Sequence, residues 1–213
     1  MAIQLSDIEA SVRAATDHDT DTQVTQAQAY AWINEEYFAL RRRLADAVPD
    51  LYTKVSADFT LGAGITSQDV TAAPLSLSDF AKPRIVEIKN SPFYSPLETA
   101  GFMTADWGGS LSWRLRGTTI DLYPQDFVPG KTFRVKYITK PAKLVNPNDP
   151  VDVPDGAERV LVESVAARIR VRLDDDPSFH LQMRDKYWAE IRDSLVRQYV
   201  STPQTIVDIT GRY

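Results

Sequence analysis

The chain has 213 residues, of which 43% are hydrophobic and 25% charged, with 24 Lys and Arg against 29 Asp and Glu. That length supports one or two domains with a real core, and the composition is that of ordinary globular proteins. The absence of cysteine excludes disulfides and thiolate chemistry, and a formal net charge of −5 argues against a protein that grips nucleic acid through phosphate contacts, though not against one that DNA merely passes.

The first ten residues, MAIQLSDIEA, lack a basic region followed by an apolar run, so no signal peptide is expected. No apolar stretch approaches the length needed to span a bilayer. Ser6 and Glu9 have capping-box spacing, with Leu5 before them and Ile8 and Val12 after, which predicts a helix over 6–16. A polar turn over 18–22 follows. A long helix is predicted over 23–48, because Tyr30, Ile33, Tyr37, Leu40, Leu44 and Val48 recur at three- and four-residue steps. Pro49 ends it.

From 51 to 140 the period changes to alternation. Val55, Ala57, Phe59 and Leu61 alternate ahead of a Gly62-Ala63-Gly64 break. Residues 84–89 read as a strand bounded by Pro83 and Pro92. Leu111, Trp113 and Leu115 alternate up to a Gly117-Thr118 turn, and Ile120 and Leu122 alternate in the returning strand. After a Pro129-Gly130 turn, Phe133, Val135 and Tyr137 alternate in the last strand. Linked hairpins of this kind predict an antiparallel sheet, curled into a sandwich or small barrel. Residues 141–154 (PAKLVNPNDPVDVP) carry four prolines and read as an extended return linker.

Two helices close the chain. The first, over 156–173, has Val160, Ser164, Ala167 and Val171 on one side, widened by Leu161, Val165 and Ile169, and Asp155 is placed to cap it. Asp174-Asp175-Asp176-Pro177 stops it, since a helix rarely runs through the residue before proline. The second, over 178–199, carries Leu181, Trp188, Ile191, Leu195 and Tyr199. So short a joint favours antiparallel neighbours. The three apolar stripes predict one bundle whose core is Tyr30, Ile33, Tyr37, Leu40, Leu44, Val160, Ala167, Val171, Trp188, Ile191 and Leu195. The fold class is therefore α+β: a helical bundle from 1–50 and 154–199, an inserted β domain over 51–140, a linker over 141–153 and an extended tail over 200–213.

Catalytic signatures are missing. The two histidines, His18 and His180, have no metal-binding spacing, and the aspartates around His18 lack the glycine and distal glutamate of a calcium loop. Gly62-Ala63-Gly64 lacks the lysine and following helix of a phosphate loop. No serine lies in a nucleophile elbow. A noncontiguous pair among the 29 acidic residues stays open as an enzyme alternative. No cofactor or metal is expected. Arg41, Arg42 and Arg43 fan out by about 100° each on a helix, so they make no single basic patch. Arg168 and Arg172 share a face, and intrahelical or intersubunit salt bridges are their expected use. Phe93, Tyr94, Trp107 and Trp113 fill a β core or line a glycan- or peptide-binding face, the alternative functional reading.

The order of parts, with WRLRGTTIDLYP and then the phrase over 137–177 ending in VPDGAERVLVESVAARI and an acidic stop, resembles the head-to-tail adaptor (connector, head-completion) proteins of tailed bacteriophages. The resemblance is to those whose helical bundle carries a β insertion. It implies a structural virion protein made in the host cytoplasm. Such proteins form a ring, typically dodecameric, under the portal, extend the DNA channel and offer a docking face to tail or neck proteins. It implies no catalytic residues. The tail over 201–213 has Pro203, which blocks the preceding helix, and then Ile206, Val207 and Ile209 in a strand pattern without a neighbouring strand. With Tyr213, these residues are the expected contact with the portal or an adjacent subunit.

Overall fold

In the computed structural model the described residues are 3–17, 23–63, 65–99, 111–123 and 128–200. They belong to two compact units, Met1–Leu51 with Pro141–Tyr213, and Tyr52–Lys140. The chain is α+β, with four helices and an antiparallel β region among the described residues.

The helical unit holds α1 (Leu5–Thr16), α2 (Gln26–Ala47), α3 (Ala157–Arg172) and α4 (Ser178–Val200). Helix α1 begins one residue before its expected start, because its cap is not the Ser6–Glu9 pair. The Asp7 carboxylate instead accepts from the Gln4 backbone N–H at 2.9 Å. The amides of Leu5 and Ser6 donate to the carbonyls of Asp149 and Pro147, so residues from the return segment satisfy the free first turn. Helix α2 begins at Gln26, three residues later than expected. Thr25 and Gln28 form a reciprocal capping box there, a signal present in the sequence at Ser/Thr-x-x-Gln spacing. Past Ala47 the chain makes a 3-10 turn over Pro49–Tyr52.

Helix α3 lies at the centre. Ala157, Val160, Leu161, Ser164, Val165, Ala166, Ala167 and Ile169 are all buried, which covers most of its circumference and not a single stripe. It packs against α1, α2 and α4. Its N-cap is Gly156 at φ 89°, a left-handed conformation open to glycine, and Asp155 forms no cap; the expected Asp155 cap is thereby replaced. The acidic stop works as expected. Asp174 turns left-handed at φ 58°, the Asp175 N–H donates to the Arg170 carbonyl at 2.9 Å, and the Asp176 carboxylate accepts from the Ser178 N–H at 2.9 Å.

Residues 141–154 run along the helical unit as a strap. Leu144 and Val151 are buried. The Asn34 side chain, in the middle of α2, donates to the Leu144 carbonyl at 2.9 Å and accepts from the Leu144 N–H at 2.8 Å. Val151 N–H donates to the Ile3 carbonyl, and Arg41 meets Asp152 at 2.9 Å.

The β unit has two sheets. One has the order β1 (Thr53–Val55), β9 (Thr132–Thr139), β4 (Phe80–Asn90), β5 (Phe93–Pro96), with β2 (Phe59–Thr60) also on β9. The other has the order β3 (Ser67–Asp69), β8 (Thr119–Tyr123), β7 (Ser112–Arg116), β6 (Glu98–Thr99). Both sheets contribute to one core containing Phe59, Val70, Val86, Trp113, Ile120, Leu122 and Phe133. The hairpin at Gly117-Thr118 and the strands on either side match the alternation. The expected strand over 55–61 is split at Ser56, which exchanges two hydrogen bonds with Val135: its hydroxyl accepts from the Val135 N–H and its N–H donates to the Val135 carbonyl. Val55 and Ala57 are accordingly exposed. Strands β3, β5 and β6 have 3, 4 and 2 residues and no apolar alternation, so sequence periodicity misses them. The β6–β7 pair is parallel, which linked hairpins alone do not supply.

Charged groups in this unit are arranged in pairs. Glu87 is 6% exposed. Burial alone would raise its pKa, but hydrogen bonds from Lys136 and Arg134 outweigh that and hold it below the usual carboxylate range. Tyr137 donates to Asp79 at 2.9 Å, and Asp79 also receives Lys54 at 2.7 Å. Burial first, and this hydrogen bond second, push the Tyr137 phenol up to about 12.

Two outcomes follow from these contacts. Asn34→Ala strips both partners from the Leu144 backbone and costs about 1–3 kcal/mol, and Leu161→Ala costs about 2–5 kcal/mol, both read from denaturant unfolding. The unfolded chain releases the Tyr137 proton near pH 10.0, while the folded chain holds it to about 12. Its contribution is therefore complete below pH 10 and is lost as pH rises through 12. Glu87 has the opposite sign, contributing above its unfolded pKa and losing that contribution as pH falls through its lowered one. In Tyr137→Phe the decline of unfolding free energy over the alkaline window shrinks by about one proton; an unchanged slope refutes the assignment.

Candidate docking surfaces

Most residues named for the bundle core lie inside. Ile33, Tyr37, Leu40, Leu44, Val160, Ala167, Ile191 and Leu195 are buried, while Tyr30 and Trp188 are half-buried. Val171 is the correction: it continues the α3 stripe by spacing, yet it is 61% exposed. The reason is positional. It sits in the last turn of α3, where α2 and α4 flank a groove that no described residue of the helical unit fills. The residues named for the tail, Ile206, Val207, Ile209 and Tyr213, lie outside the described residues.

The arginines on α2 and α3 go to separate places. Arg41 is 4% exposed and faces Asp152 of the strap. Arg42 is exposed. The Arg43 guanidinium lies 4.4 Å from the Trp188 ring centre, a stacked cation–π contact between α2 and α4. Arg168 is engaged within the chain, reaching Glu35 at 2.6 Å and Glu36 at 3.3 Å across to α2. Arg172 is exposed and forms no ion pair among the described residues.

Two grooves flank α4. The first opens between α2 and α4 over α3, with Trp32, Ala167, Val171 and Leu181 as its apolar lining and Arg168, Arg172 and Arg184 at its margin. Ser164 and Ala167 line it with small side chains, which leaves the groove open. The second lies at the other end of α4, lined by Leu51, Val153, Ile191, Leu195 and Tyr199, with Asp155 and Glu190 at its margin. Neither acid has a partner among the described residues. Sequence periodicity did not identify the grooves, since a stripe does not say which of its positions another helix covers.

Other polar groups on the bundle pair internally. His180 is 5% exposed, and its Nδ1 lies 2.7 Å from Glu163 on α3. Phe179, next to it, is 65% exposed. Among the described residues no group of three or more His, Asp or Glu is placed to hold a metal, and no helix is long and apolar enough to cross a membrane.

The aromatic residues weighed as a ligand face do not come together among the described residues. Trp113 is buried in the β core. Tyr94 lies under the Arg134 guanidinium at 3.4 Å and donates to Asp58. Phe93 projects at the β4–β5 turn, 74% exposed, and Trp107 lies outside the described residues.

A family model described as SU10 adaptor protein matches residues 3–207. A comparison with curated proteins returns no match.

Proposed function

The chain belongs to the SU10 adaptor protein family, and from that membership we propose that it is the ring-forming head-to-tail adaptor of its virion. As a family member it is a structural adaptor protein of a bacteriophage. In the proposed role, copies assemble, typically as twelve, under the portal. The ring extends the channel through which DNA passes, and its far face receives tail or neck proteins. The family assigns it structural work, and no catalytic step is proposed.

The observation that supports ring formation is apolar surface left uncovered on the helical unit. Val171 is 61% exposed and Phe179 65% exposed, both at the joint between α3 and α4. Large apolar side chains left exposed to this degree are candidates for a contact with another chain. The segment over 201–213 is the proposed attachment to the portal or an adjacent subunit, through Ile206, Val207, Ile209 and Tyr213. Thirteen residues fully extended reach roughly 40 Å, enough to leave the parent subunit. Held in a ring, each copy of the segment is kept near its site by the others, which multiplies a weak contact.

Truncation after Tyr199 tests the attachment. The shortened protein is expected to keep its melting temperature and to lose stable binding to purified portal, seen as missing rings in electron microscopy. A truncated protein that still decorates portals and survives dilution overturns the tail as anchor. The channel is tested separately. At a net charge of −5 the full-length protein is expected to show no binding to linear duplex DNA at physiological salt. A micromolar affinity with a steep salt dependence overturns the picture of DNA passing ungripped.

A further inference from the structure

We infer that the arginine-margined groove of one copy receives the surface around the groove margined by Asp155 and Glu190 of a second copy, so that neighbours join head to tail through the helical unit. This rests on the ring reading above and names the surface that makes the ring.

The two grooves lie at opposite ends of α4. One exposes Trp32, Val171 and Leu181 beside Arg172. The other exposes Leu51 and Tyr199 beside Asp155 and Glu190. Their charges decide how copies can meet. Arg168 and Arg184 are already engaged by Glu35, Glu36 and Asp185. Arg172 is left as a cation without an ion pair among the described residues, and Asp155 and Glu190 are anions in the same condition. Two copies meeting groove to like groove would set Arg172 against Arg172, or the two acids against the same two acids. Like charges brought together in an apolar contact oppose association. Only the unlike pairing puts Arg172 opposite Asp155 and Glu190.

That pairing uses two different surfaces, so it is heterologous, and each copy keeps one groove of each kind open for the next. Heterologous contacts propagate, and they close into a ring when the rotation between copies allows it. Tyr199, 37% exposed at the end of α4, supplies an aromatic side chain with an apolar body and a polar tip. Val171, 61% exposed, offers it an apolar floor, and the neighbouring Ser164 and Ala167 leave the space.

The chain has no cysteine of its own, which makes disulfide trapping clean. Val171→Cys and Tyr199→Cys are introduced together into the full-length protein, which is oxidised alone at high concentration and on purified portal. Both positions are solvent-facing, and unchanged circular dichroism checks that the variants fold. The expected result is a ladder of covalent dimers, trimers and larger species on a denaturing gel, with neither single cysteine giving any. Arg172→Glu or Glu190→Arg, added to the double-cysteine protein, is expected to abolish the ladder. An equal mixture of those two variants restores it, because each supplies the charge the other now needs. Dimers from Val171→Cys alone would show a like-to-like contact and overturn the inference. So would native mass showing assembled copies in which the double-cysteine protein forms no cross-link; in that case the ring stands and this surface is wrong. A protein that stays monomeric both alone and with portal overturns the ring itself.

Discussion

Asn34 grips the backbone of Leu144 with both ends of its amide, 110 residues away in sequence. Asparagine is a poor residue for a helix interior, because its side chain competes with the helical backbone for hydrogen bonds. Here the competition is redirected. The amide also donates to the Tyr30 carbonyl of its own helix, so three of its hydrogen-bonding positions are filled in a buried site. The consequence spreads along the strap. With Leu144 fixed, Pro147 and Asp149 lie where their carbonyls take the free amides of α1, and Asp152 lies beside buried Arg41. A segment that carries four prolines, and so offers few backbone donors, is held by groups from α1 and α2 and not by its own ladder. The strap is therefore part of the helical unit, and it delivers the chain to Gly156 at the start of α3.

Helix α3 explains both how the unit is stable and why it has surface to offer. Its N-terminal two-thirds is buried on nearly every side, so little of it is available for contact. Its last turn is different. There Val171 and Arg172 emerge where α2 and α4 separate over the small residues Ser164 and Ala167. The same helix thus supplies the centre of the core at one end and the floor of an open groove at the other. Internal contacts hold the flanks: the Arg168 ion pairs to α2, and the 2.7 Å contact of His180 with Glu163 between α4 and α3. At the groove itself Arg168 and Arg184 are engaged within the chain, and Arg172 has no ion pair among the described residues.

The β unit solves a different problem, that of keeping a sheet's outer face charged and orderly. Side chains from β4, β5 and β9 form a connected surface: Glu87 between Arg134 and Lys136, Arg134 over Tyr94, and Tyr94 with Lys89 on Asp58. Cross-strand pairs of opposite charge stabilise a sheet modestly, and they also blunt its tendency to recruit foreign strands. Tyr94 is consumed by this network, and Trp113 by the core. Of the aromatic residues weighed as a ligand platform, Phe93 is left exposed among the described residues.

The sequence by itself determined what depends on near neighbours. The periods of 3.6 and 2 placed the helices and the longer strands, Asp174 to Pro177 stopped α3, and Gly117-Thr118 turned a hairpin, because each of these is decided within a few residues. The resemblance carried by the phrase over 137–177 pointed to the adaptor family for a related reason: a strand, a proline-rich return and a helix start recur together in order. Tertiary structure decided what depends on partners far along the chain. Spacing cannot tell that Val171 ends its stripe in solvent, since burial requires another element to arrive there and none of the described ones does. It cannot separate Arg41, Arg42 and Arg43 beyond their directions; Asp152 and Trp188 choose the roles of the first and third. Nor can it mark Asn34 or His180, whose partners Leu144 and Glu163 lie on other segments. Hydrogen bonds and packing act through space at a few ångströms, so chain distance carries no trace of them until the fold has closed.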